Sequence, residues 1–102
     1  MASGVARNVS GSYVGTGAEQ EIRADKVGFQ PRRLTIERAD TEFTKSEHLE
    51  GMDAGSRFKT AANGTRTLES TGGPTLLYDG FSVPDSDDVN ALGSVYRYFA
   101  EE

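Results

Sequence analysis

Cysteine is absent from the 102 residues, which removes disulfides and thiolate metal sites and leaves the redox compartment unreadable. Long apolar runs are absent as well. No stretch approaches the ~20 apolar residues of a membrane-spanning helix, and the opening Met1-Ala2-Ser3-Gly4-Val5-Ala6-Arg7 lacks the apolar core of a secretory signal. The expectation is a soluble protein made in the cytoplasm, with no membrane partner. Basic clusters are missing too. Lys and Arg number 11 against 16 Asp and Glu, a net charge of −5, and no basic stripe interleaves with aromatics. Nucleic acid is therefore an unfavourable partner. Arg32-Arg33 beside Pro31 is the only basic doublet and reads as a solvated loop.

Strongly apolar side chains are scarce. Leu, Ile, Val and Phe total 20, close to the composition below which chains stay unfolded. A chain this long makes one domain and buries roughly 60–70% of its unfolded surface. The core must be lean, or completed against other copies or a partner.

Chemistry-bearing patterns are few. His48 is the only histidine and reads as a surface residue rather than a base or ligand. No Gly-x-Ser-x-Gly elbow offers a nucleophile. The 16 acidic residues form too many pairs for any one to be singled out for glycoside chemistry. Asp85, Asp87, Asp88 and Asn90 place oxygen donors in one turn, as a Ca²⁺ loop does, but without the central Gly and distal Glu of an EF-hand. Asp and Asn also favour turns for their own hydrogen bonding, so the plain acidic turn is preferred. The sequons Asn8-Val9-Ser10 and Asn63-Gly64-Thr65 carry little weight without a signal peptide. The reading is of a protein that is not an enzyme and needs no metal or cofactor.

What is present is β periodicity. Val95, Arg97 and Phe99 alternate with Tyr96, Tyr98 and Ala100, a period of two with both faces occupied. Arg33 to Ala39 alternates likewise. Arg57 to Ala61 and Thr65 to Ser70 flank Asn63-Gly64, which predicts a hairpin on a two-residue type I′ turn. Tyr13-Val14 and Glu19 to Ala24 predict a second hairpin around Gly15-Thr16-Gly17, and Thr75 to Tyr78 with Phe81 to Val83 supply two more strands. Asp40 to Met52 has only Phe43 and Leu49 as large apolar residues before Met52, and is expected to be extended and exposed. Strands recurring about every ten residues predict an all-β, antiparallel, jelly-roll-like sandwich of about 7–9 short strands. Residues 1–10 are expected to be a flexible arm and residues 11–102 a single β domain.

Four segments, Gly15–Ile22, Val27–Ile36, Leu77–Val83 and Val89–Ala100, carry a series of turn glycines and strand ends. That series resembles a short β domain of tailed-bacteriophage virion proteins, found in head-decoration proteins and at tail-fibre ends. The likeness spans about residues 11–100 and departs most between Phe43 and Ala62. It implies a structural virion protein, with a capsid decoration role favoured because 102 residues leave no room for a long fibre shaft. A tail, receptor-binding or carbohydrate-binding module is the alternative. The implied partners are further copies of the chain, as a trimer, and the major capsid protein or other virion proteins. Tyr96, Tyr98, Phe99, Tyr78 and Arg7 are the expected contact residues, the four aromatics also being candidates for a sugar-binding platform.

Overall fold

The computed structural model describes residues 7–23, 25–39 and 44–102. It is an antiparallel β-sandwich. The larger sheet contains β1 (Asn8–Val14), β3 (Arg33–Arg38), β4 (Lys45–Leu49), β5 (Arg57–Thr60), β6 (Arg66–Glu69) and β9 (Val95–Glu101), in the order β1-β9-β3-β4-β5-β6. The smaller sheet is β2 (Gln20–Ile22), β8 (Gly80–Val83) and β7 (Thr75–Leu77), in the order β2-β8-β7. One helical turn, α1 (Asp87–Asn90), capped by Ser86, leads into β9.

The alternation of β9 places Tyr96, Tyr98 and Ala100 inward and Val95, Arg97 and Phe99 outward. The core forms where the small sheet covers β1, β9 and β3. Tyr13, Leu34, Ile36, Tyr96 and Tyr98 meet Ile22, Phe81 and Val83, with Val27, Phe29 and Val89 closing the ends. Tyr13 stacks on Tyr96 at 5.3 Å, and Phe81 meets Tyr98 edge-on at 5.4 Å. Each buried tyrosine still finds a partner for its hydroxyl, as burial requires. Tyr13 donates to the Val89 carbonyl, Tyr96 to that of Asp87 and Tyr98 to that of Lys26. The three phenols thereby tie α1 and the loop after β2 to the large sheet.

Several expectations are corrected. Asn8 to Ser10 belong to β1, paired with Glu101, Ala100 and Phe99, and Arg7 is tied to Glu102, so residues 7–10 are not a free arm; residues 1–6 lie outside the described residues. β1 and β2 do not form a hairpin. The chain crosses between sheets at Gly15, where a Cβ would stand 1.9 Å from the Ala91 carbonyl oxygen, so the close approach admits only glycine. The segment expected to be exposed contains β4, a strand within the sheet; residues 40–43 of that segment lie outside the described residues. Its inward residues are Ser46 and His48, both buried, so His48 is not a surface residue. The β5–β6 hairpin exists, but on three residues. Ala61 N–H bonds to Thr65 O, Gly64 N–H bonds to Ala61 O, and Gly64 alone has a positive φ, +90°. That is a type I turn closed by a left-handed glycine, with Asn63 at ordinary negative φ.

Candidate interaction surface

Under β4 and β5 the interior changes character. The inward residues there are Ser46, His48, Arg57 and Lys59, polar where the core under β1, β9 and β3 is apolar. The Arg57 side chain is 4% exposed, and its guanidinium donates to Ser46 Oγ at 3.0 Å, Glu69 Oε1 at 2.8 Å and Asp88 Oδ2 at 2.8 Å. Lys59 Nζ stands 3.0 Å from the same Asp88 oxygen. Burial works to raise the Asp88 pKa, but the bonds from Lys59 and Arg57 outweigh it and hold the carboxyl below its usual value. His48 Nδ1 lies 2.8 Å from the Ser56 carbonyl oxygen, which can only accept, so the proton sits on Nδ1.

The acidic turn is disassembled by these contacts. Asp88 joins the Arg57–Lys59 cluster, while Asp85 and Asp87 face solvent. Asn90 is fully buried with its amide saturated: Nδ2 donates to the carbonyls of Ala18 and Pro84, and Oδ1 accepts from Thr16 N–H and Gln20 Nε2. The four residues do not converge, and among the described residues no three His, Asp or Glu come together as metal ligands. Asn90 is a brace between the β1–β2 crossover and α1.

The expected contact residues separate. Tyr96 and Tyr98 lie in the core because their face of β9 is the one the small sheet covers, so they present no surface to a partner. Phe99, on the opposite face, is 40% exposed. Tyr78 is 76% exposed at the β7–β8 turn, with the Arg23 guanidinium 5.1 Å from its ring centroid. Arg7 makes a two-pronged pair with Glu102 and lies over Phe29. No common aromatic platform results.

What the structure does assemble is the outer face of the six-stranded sheet. The registers align Ser10, Phe99, Thr35, Glu47, Phe58 and Leu68 in one row across all six strands. Leu68 is 67% exposed, and Phe58 carries the Arg66 guanidinium 4.5 Å above its ring. Charges flank the row in opposed pairs: Arg33 opposite Glu101, and Glu37 between Arg97 and Lys45. Glu47 lies within 3.9 Å of Arg33 and 3.5 Å of Arg66. With both arginines more than half exposed, such pairs stabilise little and serve mainly to set complementarity. Beside the row, Met52, Leu68, Asp53 and Glu69 line an open hollow of about 450 Å³. Phe58 and Leu68 were legible as strand residues, but not as members of a row with Phe99, because register between distant strands is invisible in the sequence.

Comparison with known proteins finds no matching family model, curated protein or solved structure.

Proposed function

We propose that this chain is a non-enzymatic binding and assembly domain, and that its setting is the head surface of a tailed bacteriophage, where it acts as a decoration protein. The observation that supports the reading is where the sequence resemblance falls in the fold. The four resembling segments hold every residue of the buried apolar cluster except Tyr13. They also hold Gly15 and Gly80, whose backbones approach Ala91 and Ile22 too closely for a Cβ. A likeness concentrated on the frame leaves β4 to β6, with Phe58 and Leu68, free to suit one particular partner.

The test is co-sedimentation of the purified chain with capsids from particles made without it. Saturable binding at a fixed ratio to the capsid protein is expected. Leu68→Glu should weaken it without lowering the melting temperature, since that side chain packs against little. A chain that stays in the supernatant at every concentration overturns the decoration reading. Glycan-array binding in that case would favour the tail or receptor-binding alternative.

A further inference from the structure

The large sheet ends in two edge strands, β1 and β6, and they are built differently. β6 is four residues long and carries Arg66 and Glu69, the short, charged kind of edge that resists pairing. β1 is seven residues long and holds neither charge nor proline, and its register with β9 runs unbroken from Asn8↔Glu101 to Val14↔Val95. Among the described residues, none of the usual protections is present on it. Gly15 N–H bonds to Ser94 O and Glu102 N–H to Arg7 O, so the odd-numbered residues are the ones that bond to β9. The N–H and C=O groups of Asn8, Ser10, Ser12 and Val14 therefore point away from the sheet. Among the described residues only one of these groups has a partner, the Val14 carbonyl, which accepts from Gln20 Nε2 at 3.0 Å.

We propose that β1 pairs antiparallel with β1 of a second copy, about a two-fold axis at Gly11, joining the two large sheets into one. In this register Ser10 faces Ser12 of the second copy and Asn8 faces its Val14, so the outward groups exchange bonds along the strand. The Val14 carbonyl keeps a lone pair for this alongside Gln20. Two features select a second copy as the occupant. The strand is self-complementary: Ser10-Gly11-Ser12 reads the same in both directions, placing hydroxyl against hydroxyl outside and Val9 against Tyr13 inside. Gly11 meets its own counterpart at the axis, where the Tyr98 phenol already lies so close that a Cβ would stand 2.6 Å from its oxygen. Charge points the same way. Two chains of net charge −5 repel, and an uncharged edge strand backed by the balanced Arg97 and Glu101 is a place where they can meet. The contact is two-fold, unlike the three copies implied by the resemblance, and it does not depend on a virion setting.

The experiment is sedimentation equilibrium of the full chain beside two variants. Ser12→Pro removes an outward N–H that β9 does not use, a change that edge strands tolerate. Ser10→Lys adds a charge on the solvent face, diagonal to its own copy across the axis. Wild type should sediment at twice the chain mass, and each variant should self-associate at least about tenfold more weakly. Amide exchange at Ser10 and Ser12 should slow with protein concentration in wild type only. A wild type that stays monomeric, a trimer mass, or a dimer undiminished in both variants overturns the proposal. If Ser12→Pro does not fold, Ser10→Lys decides.

Discussion

Among single residues, the buried polar ones define this protein more sharply than its apolar core. Asn90 spends both amide hydrogens and its oxygen on four partners, Thr16 and Ala18 in the β1–β2 crossover, Gln20 at the start of β2 and Pro84 just after β8. Truncation would leave buried donors and acceptors unmet, each costing about 1–3 kcal/mol. Asn90→Ala is therefore expected to destabilise by roughly 2–4 kcal/mol in urea unfolding, with Asn90→Asp no better because it loses the two donors. Asp88 predicts a pH dependence. Its pKa is lowered in the folded state, so its contribution is present above the ordinary Asp value and is lost as pH falls through the depressed one. Urea midpoints should decline on acidification below that ordinary value. Asp88→Asn should be less stable at neutral pH and should lose this part of the decline.

The elements are held by short, specific devices. Gly64 closes the β5–β6 hairpin at φ +90°, with nothing within 4 Å of the position a Cβ would take. A substitution there meets backbone strain and no clash. Gly64→Val should cost about 1–2 kcal/mol, and Gly64→Asn markedly less, because Asn tolerates the left-handed region. Gly15→Ala is a different case. Its Cβ would stand 1.9 Å from a backbone oxygen, so the β1–β2 crossover itself must move, and the loss should exceed that of Gly64→Val. Thermal melts of the three variants side by side check this order.

At the scale of the whole molecule the sandwich is unequal. An aromatic core lies under β1, β9 and β3, and an ion-paired polar layer lies under β4 and β5, with β6 exposed on both faces. Apolar burial is thus concentrated at one end of the large sheet. Native-state hydrogen exchange should show β5 and β6 amides opening well below the global unfolding free energy, with β3 and β9 exchanging last. Equal protection along the sheet would contradict that division.

Much of the architecture was legible in local patterns, because period-two alternation, turn glycines and the Asn63-Gly64 pair act through nearest-neighbour sterics. They determined an all-β chain, most strand positions, the β5–β6 hairpin and the sorting of β9 into two faces. Local patterns could not say which face of β9 would be covered, so Tyr96 and Tyr98 read equally well as contact residues until the small sheet closed over them. Nor could they separate β1 from β2, since a hairpin and a crossover between sheets share the same glycine-rich signal. Ser46, His48, Arg57 and Asn90 are polar, and a polar residue reads as exposed until its partners are known. Those partners lie 6 to 74 residues away along the chain. Only the tertiary structure brings them together, because burying a polar group is tolerable only once distant segments supply its hydrogen bonds.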